Sequence, residues 1–202
     1  MNQSQRHILH TTLFALLGVA FVGLAIADML IGPQPIPVSE IVSSLWGDVS
    51  DEYATIIYKL RMPKVIVAIV AGMALSASGL LMQTLFRNPL AGPYVLGINS
   101  GASLGVALFT LALPMLGGLS GTLFMRLGIT GVAWIGSAAI LLLVMMLSRK
   151  IKSVSTILII GMMLGSAISA IVGVLQYMGS EESLKAFVVW TMGSLSTVSV
   201  AD

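Results

Sequence analysis

Residues 65–93 of the chain read VIVAIVAGMALSASGLLMQTLFRNPLAGP. No charged residue occurs between Lys64 and Arg87, a run of 22 residues. A helix of that length covers roughly 33 Å, enough to cross the hydrocarbon core of a bilayer. A polar turn with two prolines follows directly. Backbone that is not helical is tolerated at membrane depth only inside protein or beside a water-filled cavity, so this turn indicates a pathway or its mouth.

The composition excludes most other classes of protein. The chain is 57% hydrophobic and 9% charged, with a mean hydropathy of +1.01, whereas soluble domains carry about 25% charged residues. These values predict an all-α, polytopic membrane protein. The net charge of +2 is too small and too scattered for a nucleic-acid surface. The absence of cysteine excludes disulfides and thiolate metal sites, and we expect no cofactor.

Hydropathy and charge predict five membrane spans. They cover about residues 11–31, 65–86, 94–113, 127–148 and 156–177. Pro63 suits the first turn of a helix, so we expect the second span to begin there. The first span also resembles a secretory leader, with Arg6 before the apolar run and Ala25-Ile26-Ala27 after it. The later spans would hold the chain in the membrane in either case, which favours an uncleaved first helix.

The most polar part of the chain lies between the first and second spans. In residues 38–47 the apolar side chains have helical spacing and share one face. This pattern suggests a short amphipathic helix that lies on the outer face of the membrane that the chain spans. An ordinary loop helix explains the pattern equally well.

Small residues recur every four positions in two of the spans. Such stripes allow helices to approach closely. The alternative role is to line a translocation path. The interiors of all five spans lack Asp, Glu, Lys and Arg, which argues against an ion relay. The residues expected to pack helices are Gly97, Gly101, Gly105, Gly161, Gly165 and Gly173.

The orientation depends on one basic loop. Lysine and arginine divide equally between the two sides, but Arg149, Lys150 and Lys152 form the densest group in the shortest loop. The positive-inside bias is strongest in short loops, so we predict a cytoplasmic N-terminus.

No catalytic or metal-binding constellation is present in the sequence. His7 and His10 lie near the N-terminus without neighbouring carboxylates. A phosphate-binding glycine loop followed by Lys and Ser or Thr is also missing, so any ATP hydrolysis belongs to a partner. The chain is expected to be a non-enzymatic membrane subunit.

Several spaced motifs resemble those of the FecCD-type permeases, the membrane subunits of ABC importers for iron–siderophores, haem and cobalamin. The resemblance runs from about residue 58 to the end of the chain, and the Asn-Pro-Leu-Ala block is its most specific part. The motifs are Arg61-x-Pro63-Lys64, Gly72-x-Ala74-Leu75-x-x-Ser78-Gly79-x-x-x-Gln83, Arg87-Asn88-Pro89-Leu90-Ala91-x-Pro93, Leu96-Gly97-Ile98-x-x-Gly101-Ala102 and Trp190-x-Met192-Gly193-Ser194-Leu195.

The resemblance implies an architecture and a set of partners. Members of this family have ten transmembrane helices built as two inverted halves, and this chain looks like the first half. They lie in the bacterial inner membrane as homodimers or pseudo-dimers. Their partners are two cytoplasmic ABC ATPase subunits, a periplasmic substrate-binding protein, a second permease copy and membrane lipid.

The resemblance also assigns roles to four residues. Arg61 and Lys64 match basic residues that receive acidic side chains of the binding protein; snorkelling to lipid headgroups is the simpler alternative. Asn88 and Leu90 match residues of a cytoplasmic gate. Alternatively, Asn88 caps the turn and Leu90 packs in a loop.

The sequence is compatible with two functions. The first is a permease subunit of an importer for an iron chelate, haem or cobalamin. The second is a truncated, non-transporting chain that acts only as a scaffold for other subunits. A reading frame that continues through five more spans would favour the importer.

Overall fold

The computed structural model describes residues 2–44, 46–115, 123–151 and 153–195. In these ranges every regular element is a helix, which confirms the predicted all-α class. The first half of the chain contains α1 (Gln3–Leu30), α2 (Val38–Ser44), α3 (Asp51–Thr55) and α4 (Met62–Phe86). The second half contains α5 (Ile98–Ala107), α6 (Leu113–Met115), α7 (Leu123–Ser148), α8 (Val154–Met178) and α9 (Glu181–Met192).

Four helical stretches in the described ranges are long and apolar enough to cross a membrane: Gln3–Leu30, Asp51–Phe86, Gly128–Ser148 and Val154–Met178. A fifth apolar helix, Ile98–Ala112, is shorter. Its region was predicted to be helical from residue 94, but residues 94–97 form a turn that ends at Gly97, whose φ is +75°. Within α7 the backbone is not helical at Gly128, with φ 64° and ψ −176°. Lys152, a member of the predicted basic loop, lies outside the described ranges.

Two π-helical segments join α-helices without a break. The first, π1 (Ile56–Arg61), connects α3 to α4, and the second, π2 (Leu108–Ala112), connects α5 to α6. Each segment ends two residues before a proline, Pro63 or Pro114. A proline inside an α-helix lacks the N–H and collides with the carbonyl four residues earlier. The wider π turn removes this conflict, so Pro63 lies inside a helix and does not begin one as expected.

The chain divides into two compact units. Unit 1 comprises residues 1–73 and 195–202, and its described part has a small core of Ile36, Ile41 and Ile57. Hydrogen bonds close the segment around this core. The Tyr58 hydroxyl donates to the carbonyl of Ser44 at 3.0 Å, and the Glu40 carboxylate accepts from the backbone N–H of Ser50 at 3.1 Å. The predicted surface segment thus contains α2 followed by a turn at Trp46 and Gly47.

Unit 2 comprises residues 74–194 and holds the larger core. Val106, Leu111 and Phe187 are among its most buried side chains. The core is built where α5 and π2 pack between α7 and α8, with α9 against π2. α9 was not predicted. Its N-cap is Ser180, whose hydroxyl oxygen accepts from the backbone N–H of Ser183 at 3.3 Å.

Candidate functional site

The turn after α4 is a helix-terminating motif in which an arginine takes the usual place of glycine. The N–H of Asn88 donates to the carbonyl of Gln83 at 3.1 Å, and that of Arg87 donates to Thr84 at 3.3 Å. This pair of bonds defines a Schellman motif whose left-handed residue is Arg87, with φ 45°. The left-handed conformation costs a non-glycine residue about 1 kcal/mol. Pro89 then prevents the helix from continuing.

The two predicted gate residues have different surroundings in this turn. The Asn88 side-chain oxygen accepts from the N–H of Leu90 at 2.9 Å, and the Asn88 carbonyl accepts from Ala91 at 3.1 Å. The amide of Gln83 donates to the carbonyl of Pro89 at 3.1 Å. Asn88 is therefore engaged within its own turn. The Leu90 side chain is 86% exposed and does not pack in the loop.

Glycines bring α5 into backbone contact with α7. A Cβ added to Gly101 would lie 2.6 Å from the carbonyl oxygen of Gly136 and 2.6 Å from Cγ1 of Ile140. A Cβ on Gly105 would collide with the carbonyl oxygen of Val132. No side chain larger than hydrogen fits at these positions. The facing residue Gly136 was not among the predicted glycines, because the residues four positions before and after it, Val132 and Ile140, are large and no four-residue repeat of small residues is formed.

A second glycine contact joins the start of α5 to α8. A Cβ on Gly97 would lie 3.0 Å from the carbonyl oxygen of Gly161 and 3.2 Å from the nitrogen of Gly165. A Cβ on Gly161 would lie 2.8 Å from Cα of Leu96. By contrast, nothing lies within 4 Å of the corresponding position on Gly173. Four of the six predicted glycines, Gly97, Gly101, Gly105 and Gly161, thus lie too close to a neighbour for an unstrained Cβ. A Cβ on Gly165 would make ordinary contact at 3.4 Å, and Gly173 faces open space.

A cleft of about 570 Å³ opens beside this second contact. Its walls carry the hydroxyl-bearing residues Tyr94, Ser100, Ser166 and Ser169, and none of the described residues that line it is charged. The Ser169 hydroxyl donates to the carbonyl of Gly165 at 2.8 Å, which leaves its oxygen to accept from Ser100 at 3.3 Å. The cleft therefore offers uncharged polar groups on a small-residue surface.

The Arg61 side chain lies inside unit 1. It is 8% exposed, and its guanidinium donates to the carbonyls of Met29, Leu30 and Gln34. Met29 and Leu30 are the last residues of α1, whose final carbonyls have no partner within the helix. Gly32 leaves room for the guanidinium, because a Cβ there would lie 2.6 Å from Nη2. Lys64 is half-buried and Lys59 is exposed.

No metal centre is found in the part of the chain that the structure describes. Within residues 2–44, 46–115, 123–151 and 153–195, no group of three or more His, Asp or Glu side chains could hold a metal ion. His7 and His10 are exposed on α1.

The helical arrangement is shared with a solved structure of an ABC transporter described as of the metal-chelate type, in an inward-facing conformation. The TM-score is 0.74 at 27% sequence identity, and the match covers 95% of this chain and 56% of the other. The fold is therefore that of an ABC importer permease. The model of the FecCD transport family matches residues 16–202, and the chain belongs to that family.

Curated relatives agree with this assignment. The chain is 40% identical over 154 residues to the hemin transport system permease protein HmuU of Yersinia pestis, with 75% of this chain and 45% of that protein covered. It is 34% identical over 142 residues to the vitamin B12 import system permease protein BtuC of Salmonella paratyphi A, with 70% and 41% covered. The chain spans about half the length of these relatives.

Proposed function

We propose that this chain is part of the permease of an ATP-binding-cassette importer that moves an iron chelate, haem or cobalamin across a bacterial inner membrane. The observation that carries the proposal is the agreement of its helices with a metal-chelate type transporter over 95% of the chain. Membership of the FecCD family and the hemin and vitamin B12 relatives support the range of substrates. They favour this function over a scaffold that does not transport.

The proposed partners are a cytoplasmic ATPase subunit, a periplasmic substrate-binding protein and a second permease copy. The sequence lacks the phosphate-binding loop that nucleotide hydrolysis requires, so the energy must come from another subunit. The permease itself is then a non-enzymatic subunit.

The proposed gate is Leu90 in the turn after α4. Its exposed side chain leaves it available to close a pathway against the same residue of a second copy. Asn88 supports the gate indirectly, because its side-chain bond to the N–H of Leu90 fixes the direction in which the turn presents that leucine. This division gives Asn88 a positioning role and Leu90 the blocking role.

The proposed docking site for the binding protein lies at the start of α4. The geometry supports different roles for the two basic residues predicted there. The guanidinium of Arg61 is hydrogen-bonded to three carbonyl groups, so its proposed role is to hold the local structure of the docking surface. The partly exposed Lys64 instead offers a positive charge to acidic side chains of the binding protein. The exposed Lys59 adds a second cation nearby. Exposed ion pairs contribute only about 0.2–1 kcal/mol each, so docking needs more than one of them.

Uptake by cells tests the function. A bacterial strain without its own iron-chelate, haem and cobalamin permeases would receive the whole gene that encodes this chain, together with the ATPase subunit and binding protein of its source organism. We expect accumulation of at least one radiolabelled substrate, and its loss when the phosphate-binding lysine of the ATPase is replaced. Chain that reaches the membrane and co-purifies with the partners without any accumulation would favour the scaffold instead. Absence of both association and accumulation would exclude both functions.

A further inference from the structure

The direction of the Leu90 side chain is set by the backbone of its turn. The side chain is 86% exposed, so packing does not fix it. The turn closes at residues 88–91, where the N–H of Ala91 donates to the carbonyl of Asn88 at 3.1 Å. Pro89 comes directly before the leucine, and its ring fixes φ at about −65°. The remaining rotation is about ψ of Pro89, and it turns the peptide unit that joins Pro89 to Leu90.

Two side chains hold this peptide unit at its opposite ends. The N–H of Leu90 donates to the side-chain oxygen of Asn88 at 2.9 Å. The carbonyl of Pro89 accepts from the side-chain amide of Gln83 at 3.1 Å. The N–H and the C=O of a trans peptide point in opposite directions, so rotation about ψ of Pro89 would break both bonds together. The two side chains therefore restrain the same rotation.

Gln83 differs from Asn88 in where it is anchored. Asn88 belongs to the turn and moves with it. Gln83 lies in the last turn of α4, and its main-chain carbonyl also accepts from the N–H of Asn88 at 3.1 Å. Its side chain is exposed, so it contributes little to the packing of α4. The bond from Gln83 therefore ties the peptide unit before Leu90 to the end of a helix.

We propose that Gln83 is a positioning residue for the gate, which acts on Leu90 through the carbonyl of Pro89. The proposal rests on the proposed gate role of Leu90, and it gives a function to the last residue of the motif that begins at Gly72. A residue that acts through Leu90 should have no effect on the gate once that side chain is removed.

Nuclear magnetic resonance can observe this peptide unit by itself. Pro89-Leu90 is the one Pro-Leu step in this sequence, so proline labelled with ¹³C at the carbonyl and leucine labelled with ¹⁵N mark a single bond. The permease would be made from the whole gene that encodes this chain, and the signal would be assigned by its loss in Leu90→Ile.

The variant Gln83→Met removes the donor while it keeps the length and the helix propensity of the side chain. We expect the Leu90 N–H to exchange with water about fivefold faster in this variant, the usual effect of one lost hydrogen bond. The acceptor of that N–H, Asn88, is unchanged, so faster exchange would report the release of the whole peptide unit. Unchanged exchange would overturn the proposal, because the peptide unit would then be held without Gln83.

The reconstituted permease with its ATPase gives a second readout. Gln83→Met should raise substrate leak by up to about fivefold, and it should add nothing when combined with Leu90→Gly. Extra leak in the combined variant, or a tight Gln83→Met permease beside a leaking Leu90→Gly permease, would overturn only the role of Gln83. Tight vesicles with Leu90→Gly would refute the gate and the role of Gln83 together.

Thr84→Val is the matched control. The Thr84 hydroxyl donates to the carbonyl of Leu80 at 2.8 Å within α4, so the variant removes an exposed hydrogen bond beside Gln83 and leaves the bonds of the turn in place. It should change neither the exchange of the Leu90 N–H nor the leak. Equal effects of Thr84→Val and Gln83→Met would trace both to fraying of α4 and overturn the positioning role.

Discussion

The Arg61 guanidinium donates to the carbonyl of Leu30 at 3.1 Å and so joins two helical segments through residues that are 31 positions apart in the sequence. Arg61 ends the π-helical segment before α4, and Leu30 ends α1. A cation at a helix C-terminus is favourable because it faces the partial negative charge of the unpaired carbonyls. The bond therefore fixes where the chain turns after α1.

Replacement of Arg61 should destabilise unit 1. We expect Arg61→Gln to lower the free energy of unfolding by about 2 kcal/mol, because buried carbonyls lose a charged donor. For a chain of this size that corresponds to about 4 to 8 °C in the thermal midpoint, measured by fluorescence in detergent. Lys59→Gln removes an equal charge from an exposed position and should shift the midpoint by less than a degree or two. Similar shifts in the two variants would show that the carbonyl contacts contribute little.

The contact between α5 and α7 should not tolerate a side chain at Gly101. Gly101→Ala places a methyl group 2.6 Å from the Gly136 carbonyl oxygen, so the helices must separate. We expect a loss of about 1–3 kcal/mol, the usual effect of overpacking. The measurement is the thermal midpoint of the purified chain.

Gly173→Ala provides the matched control for that experiment. The position lies within α8, and nothing is found within 4 Å of an added Cβ. Alanine has the higher helix propensity, so the midpoint should stay equal or rise. If both variants lose the same stability, the loss in Gly101→Ala does not come from the contact between α5 and α7.

Loss of the Leu90 side chain should open the proposed gate without unfolding the protein. Leu90 is largely exposed, and exposed substitutions usually change stability by less than about 0.5 kcal/mol. In a reconstituted permease with its ATPase, we expect Leu90→Gly to raise substrate leak or ATP hydrolysis in the absence of the binding protein. Vesicles that stay tight, with unaltered basal hydrolysis, would leave Leu90 as an ordinary surface residue.

The predicted orientation can be measured with single cysteines, since the chain has none of its own. Ser153 precedes α8 and Ser180 follows it, so the two positions lie at opposite ends of one span. A membrane-impermeant thiol reagent applied to intact cells should label Ser180→Cys and spare Ser153→Cys. Both should react after permeabilisation. The reverse pattern in intact cells would place the N-terminus outside.

The sequence predicts the helical class and the glycine surfaces because both depend on local patterns. A stripe with a period of four residues is visible at Gly97, Gly101 and Gly105 without any knowledge of the partner helix. The partner residue Gly136 is not visible in the same way. Its importance comes from its contact with Gly101, and that contact depends on how the helices pack in the tertiary structure.

The role of Arg61 escapes sequence reasoning for a related reason. A basic residue at the edge of an apolar run resembles one that reaches for lipid headgroups, and nothing local indicates that a loop returns to enclose it. The missed helix α9 did leave a signal. Ser180 followed by Glu181 and Glu182 is a typical start of a helix, but the segment is too polar and too short to be predicted as a membrane span.

We expect the two π-helical segments to tolerate a change in chain length at two defined places. A π turn holds one residue more than an α turn, so it behaves as an insertion that the helix has absorbed locally. Deletion of Thr110 together with Pro114→Ala would restore regular α-helix through π2 while the flanking helices keep their rotational phase. The same deletion inside α8 would turn every later side chain by about 100° and move the glycine face away from α5. Indels in relatives of this chain should therefore cluster at the turns just before Pro63 and Pro114.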